Sequence, residues 1–69
     1  ENLPEAQRLF ERAVNQGAGQ DVDILEKLGD ISLMLEQEDK AVQFWRQALD
    51  LGGNAKRLQQ KISTRSINH

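Results

Sequence analysis

The sequence predicts an all-α protein of about four helices joined by short turns. Its composition is the first reason. Ala, Leu, Gln, Glu, Lys and Arg dominate, proline occurs once and aromatic residues make up 4%, a balance that favours helices over strands. The second reason is spacing: apolar residues recur three and four positions apart within segments that end at glycine, as on one face of a helix.

Length and charge narrow the possible functions. A chain of 69 residues without cysteine has a marginal core, so regular helix packing or association with another chain must stabilise it. Nine basic residues against eleven acidic ones give a formal net charge of −2. That balance predicts no general attraction to nucleic acid or to a membrane surface, and no apolar run approaches the ~20 residues of a membrane span.

The chain begins at Glu1 rather than at methionine. We therefore expect it to be a piece of a longer protein. The absence of a targeting signal then says nothing about the compartment.

The first helix is predicted over residues 2–16. Asn2 followed by Glu5 has the spacing of a capping box, and Pro4 suits a first turn. Gly17-Ala18-Gly19 ends the helix. Its apolar stripe consists of Leu9, Phe10, Ala13 and Val14.

The second helix is predicted to begin at Asp21 or Asp23, and Asp23 with Glu26 repeats the capping-box spacing. Its apolar stripe consists of Ile24, Leu25, Leu28, Ile31, Ser32 and Leu35. Gly29 lies within that stripe, where glycine costs about 0.5–1 kcal/mol relative to alanine. Close approach of a neighbouring helix would compensate, and we expect the third helix to cross there beside Ala41 and Ala48.

The third helix follows a polar turn at residues 36–39 and ends at Gly52-Gly53. Its apolar residues are Ala41, Val42, Phe44, Trp45, Ala48, Leu49 and Leu51. Asn54 is placed to cap a fourth helix. We expect Leu58 and Ile62 to form the inner face of that helix, and Lys56, Arg57 and Lys61 its outer face.

A pattern of small, aromatic and small residues occurs twice, in the first and third helices. The two sets are Ala6, Phe10, Ala13 and Ala41, Trp45, Ala48, and they lie 35 residues apart. That separation is close to the ~34-residue period of tetratricopeptide repeats.

The chain resembles the tetratricopeptide repeat family at these positions. Leu25, Leu28 and Gly29 match the signature of the family's helix A, whereas the set around Trp45 matches helix B. Ser32 departs from the pattern, since a large aromatic residue usually stands there, and Phe44 or a neighbouring helix would have to fill the space. The alternative is a generic three-helix or four-helix bundle in which the repeated pattern of small and aromatic residues is a coincidence.

The resemblance implies antiparallel helical hairpins of a superhelix and divides the single segment 1–69 into three parts. Residues 2–16 would be helix B of a partial repeat, residues 22–53 a complete repeat, and residues 54–66 the helix that caps the C-terminal end of an array. Such a cap has an apolar inner face and a polar outer face.

Family members act as scaffolds for protein–protein interaction, and their A helices line a groove that holds a peptide or helix of a partner. The candidate groove residues here are Asp23, Glu26, Asp30, Leu33 and Met34. An acidic strip beside two apolar residues suits a basic or amphipathic segment. The alternatives are a solvated acidic helix face and an array end that contacts nothing.

Catalysis is not expected. The chain has no cysteine or tyrosine, and its single histidine is His69, so the sequence predicts no catalytic residue, cofactor or metal site.

Two other functions compete with the scaffold interpretation. The first helix lacks its own helix A, which would leave part of its apolar stripe uncovered, so the isolated chain is expected to form a homodimer. The other competing function is nucleic-acid binding through the basic residues of the fourth helix, Lys56, Arg57, Lys61 and Arg65. The simpler interpretation of those charges is the solvated face of a terminal helix.

Overall fold

The computed structural model describes residues 2–18 and 20–65. Glu1, Gly19 and residues 66–69, which include His69 and the end of the predicted segment 54–66, lie outside the described residues. The described part forms four α-helices and no strand, so the predicted all-α class is confirmed. The helices are α1 (Leu3–Ala13), α2 (Val22–Met34), α3 (Glu38–Asp50) and α4 (Ala55–Thr64).

Side-chain caps begin three of the helices. The Asn2 Oδ1 atom accepts a hydrogen bond from the Glu5 backbone N–H at 3.2 Å, and Asn54 Oδ1 accepts from the Arg57 N–H at 2.9 Å. At α2 the cap is Asp21, whose Oδ1 accepts from the N–H groups of residues 23 and 24. The predicted capping box of Asp23 with Glu26 is wrong, because Asp23 lies inside the first turn and Glu26 bonds to α4.

Residues with positive φ follow three of the helices, and at α4 that residue is Arg65, with a φ of +52°. Gly52 has a φ of +93°, and its N–H and that of Gly53 bond to the last carbonyls of α3. The turn after α2 makes the same bonds, but there the left-handed residue is Glu36, with a φ of +63°. The first helix is shorter than predicted: after Ala13 the chain makes one π-type turn over Val14–Ala18.

The core lies between α2 and α3, with α4 closing one side. Its fully buried side chains are Leu25, Leu28, Ala41, Trp45, Ala48 and Leu58. Gly29 lies against the ring of Trp45, where a Cβ atom would collide with Nε1 and Cδ1 and lie 2.9 Å from Cε2. The expected close approach at Gly29 is therefore present, but its partner is the indole ring itself rather than Ala41 and Ala48.

The first helix packs less completely. Its only buried residue is Gln7, whose Nε2 donates to Ser32 Oγ at 3.1 Å and to Gln37 Oε1 at 2.7 Å. Ser32 is fully buried, so its contact with α1 is a buried polar one. The apolar residues of α1 stay half-buried or exposed.

Candidate interaction surfaces

A group of ion pairs joins α2 to α4. The guanidinium of Arg57 donates two hydrogen bonds to the Glu26 carboxylate, from Nε to Oε2 at 2.7 Å and from Nη2 to Oε1 at 2.8 Å. Lys61 Nζ donates to the same Oε2 atom at 2.8 Å. A bidentate contact between arginine and a carboxylate is a strong and directional ion pair.

Asp30 extends the group by one helical turn. Its carboxylate accepts from Lys61 Nζ at 3.0 and 3.1 Å. It also accepts from the indole Nε1 of Trp45 at 3.1 Å, so the buried ring has its N–H satisfied. The Lys61 ammonium lies 6.0 Å from the centroid of that ring, which is the outer limit for a cation–π contact.

The cations control the charge state of Glu26. The hydrogen bond from Arg57 is the largest influence, and with the Lys61 contact it lowers the pKa of Glu26 to about 2 even though burial acts to raise it. The same pair raises the pKa of Arg57 above its ordinary value. Both groups therefore stay charged near neutral pH, and their charges largely cancel.

These contacts correct two expectations. Glu26 is buried rather than part of a solvated acidic face, because its carboxylate is turned towards α4. Lys61 is also buried, and its predicted place on the outer face is wrong. The reason is that Lys61 follows Leu58 by three residues, so both side chains project from the same side of the helix.

The remaining groove candidates lie on two parts of α2. Asp23 and Met34 are exposed, with Lys27 between them, and Asp30 lies at the edge of this strip with its charge already paired. Leu33 is half-buried and lines a shallow cleft with residues 36–40, which form the turn after α2 and the start of α3. The five candidates thus do not form one continuous acidic surface.

The basic residues of α4 are mostly engaged in ion pairs. Arg57 and Lys61 bond to α2, and Arg65 Nη1 lies 3.9 Å from Glu38 Oε1. Lys56 is exposed. A nucleic acid would have to compete with carboxylates for three of the four cations.

Sequence reasoning did not identify Arg57, Lys61 and Gln7 as partners of α2. A signal for Lys61 was present, since its spacing from Leu58 places it beside the core. The signal for Gln7 was weaker: Ser32 lies in an apolar stripe, and a buried serine needs a hydrogen-bonding neighbour.

Within the described ranges 2–18 and 20–65, no group of three or more His, Cys, Asp or Glu residues could hold a metal ion. None of the helices there has the length and apolar character that crossing a membrane requires. No family model, curated protein or solved structure matches the chain.

Proposed function

We propose that the chain is a non-catalytic protein-interaction module in which a peptide or helix of another protein binds along the exposed strip of α2. The proposal treats α2 and α3 as a complete tetratricopeptide-type repeat, α1 as helix B of a partial repeat and α4 as the capping helix. One observation supports it: all signature residues of the proposed complete repeat are buried, whereas Ala6, Phe10 and Ala13 of the partial repeat are only half-buried. The buried ones are Leu25, Leu28, Gly29, Ala41, Trp45 and Ala48.

The packing of α2 determines which surface is available. Its inner sides pack against α3 and α1, and Glu26 and Asp30 pair with cations of α4. These contacts leave a strip made of Asp23, Lys27 and Met34 facing solvent. Met34, the last residue of α2, is 48% exposed, which leaves a large apolar side chain in contact with solvent. A strip with charges of both signs and an apolar residue at one end suits an amphipathic segment.

Charge should contribute less to binding than the sequence suggests. Glu26 and Asp30 are each paired with cations of α4, so they attract a basic partner weakly. The affinity should depend mainly on apolar contact with Met34 and should fall only slightly as salt is raised.

Selection from a random peptide library on the immobilised chain tests the proposal. Amide chemical-shift changes should place the binders along Asp23, Lys27 and Met34, and Met34→Gln should weaken them about tenfold, a loss of ~1.4 kcal/mol. Leu51→Gln is the matched control, because Leu51 is a similarly exposed apolar residue at the end of α3. Binders that map to α3 or α4, or that are indifferent to Met34→Gln, would contradict the proposal.

A further inference from the structure

The outward side of α1 carries a strip of small and apolar residues that the described residues leave partly uncovered. Leu9 is 55% exposed, the largest value among the big apolar side chains described. Ala6 and Ala13 flank it and are half-buried. Their spacing of three and then four residues is the a and d spacing of a coiled-coil seam.

The same chain shows how such a surface is closed. Ala6 and Ala13 correspond in the internal repeat to Ala41 and Ala48, which are fully buried in a cluster with Leu25 of α2 and Leu58 of α4. Small residues at this spacing let the backbone of a second helix approach closely. The pattern on α1 therefore fits a helix as its occupant.

Charges along the strip indicate which helix fits. Glu5 and Arg12 are seven residues apart, so both lie on the same edge of the seam, and both are exposed. No ion pair among the described residues involves either side chain. In an antiparallel pair of identical helices, Ala6 lies opposite Ala13 of the second copy and each Glu5 lies beside Arg12 of the second copy. A parallel two-fold pair would instead put the charged edges of the two copies on opposite sides of the seam, so neither contact between Glu5 and Arg12 would form.

We infer that this strip is a self-association surface, on which two copies pack α1 against α1 in antiparallel orientation about a two-fold axis. The contact is only three helical turns long, and interfaces below about 1,200 Å² are weak or transient. The dimer should therefore form at millimolar concentration and dissociate in the micromolar range. The inference is independent of peptide binding on α2, because it uses a different helix.

Analytical ultracentrifugation from micromolar to millimolar concentration should show the mass rising from monomer towards dimer. Leu9→Gln removes the centre of the seam at an exposed position and should raise the dissociation constant about tenfold or more. Met34→Gln, an exposed apolar position on α2, is the matched control and should leave the constant unchanged.

A charge exchange tests the orientation. Glu5→Arg alone places arginines opposite each other, and Arg12→Glu alone places glutamates opposite each other, so each variant should stay monomeric. An equimolar mixture of the two should form a heterodimer, because both edge contacts are then complementary. Circular dichroism of each variant checks that α1 remains helical.

A monomer at every concentration would overturn the inference, as would a mixture that fails to associate. A dimer that tolerates Leu9→Gln would also overturn it, since exchange of α1 between copies or use of another face would produce that result. Capture of a foreign helix on α1 by a chain that stays monomeric alone would equally exclude self-association.

Discussion

Glu26→Gln removes the charge at the centre of the ion pairs between α2 and α4 while keeping the size of the side chain. The variant keeps the Lys61 contact to Asp30 but weakens three charged hydrogen bonds, two from Arg57 and one from Lys61. Lys61 is then left buried with one carboxylate instead of two. We expect α4 to be held less firmly against α2, and the free energy of unfolding to fall.

The pKa of Glu26 sets an upper bound on the size of the effect. Lowering it from 4.5 to about 2 corresponds to at most ~3 kcal/mol of stability near neutral pH. The real loss should be smaller, because the Arg57 side chain is half exposed and regains water, whereas Lys61 keeps Asp30. A loss of about 2 kcal/mol is expected, a large part of the stability of so small a domain.

Urea unfolding followed by circular dichroism measures the difference, and its pH dependence identifies the cause. A carboxylate whose pKa is lowered by folding contributes fully above its unfolded pKa, and the contribution is lost as the pH falls through the folded value. The parent and Glu26→Gln should therefore differ by a constant amount above about pH 5 and converge between pH 4.5 and about 2.

Glu38→Gln is the matched control. Its side chain is 58% exposed and its oxygen lies 3.9 Å from Arg65, so the loss should stay below about 0.5 kcal/mol. If Glu26→Gln were as stable as the parent at neutral pH, the ion pairs would contribute nothing net. A difference that persisted unchanged down to about pH 2 would show that lost charge is not its cause.

Two further changes test the backbone and the core. Gly29→Ala should lower the melting temperature despite alanine's better helix propensity, with a cost of about 1–3 kcal/mol, because the new methyl group meets the Trp45 ring; an equal or higher melting temperature would show that the ring moves aside freely. Glu36→Gly should raise stability by up to about 1 kcal/mol by relieving a left-handed residue. Gln43→Gly, at an exposed position inside α3, should lower it, and a loss at both positions would contradict the expectation for Glu36.

Short-range patterns predicted much of the fold. The caps at Asn2 and Asn54, the helix end at Gly52 and the burial of Trp45 depend on neighbours within a few residues or on one face of a helix. The choice between Asp21 and Asp23 stayed open because both satisfy the same local rule. Only the hydrogen bonds that the Asp21 side chain accepts from the N–H groups of residues 23 and 24 identify Asp21 as the cap.

The ion pairs of α2 could not be predicted from such short-range patterns. Glu26 and Arg57 are 31 residues apart, and Glu26 and Lys61 are 35 apart. Whether they meet depends on the rotation of α4 about its own axis, which helical periodicity alone does not determine. The predicted acidic strip therefore does not include the α4 cations that pair with Glu26 and Asp30. Because those cations neutralise part of its charge, the predicted preference for basic partners is weakened.

The hydrogen bond from Trp45 to Asp30 has an optical consequence. Trp45 is the chain's only tryptophan, and the carboxylate that accepts from its indole N–H is also held by Lys61 of α4. Separation of α4 would take an ammonium group away from the excited ring and admit water to its edge, which shifts indole emission to longer wavelength. The protein thus contains its own fluorophore for detachment of the last helix, and intensity or wavelength changes that precede the loss of helical ellipticity would report that event without a label.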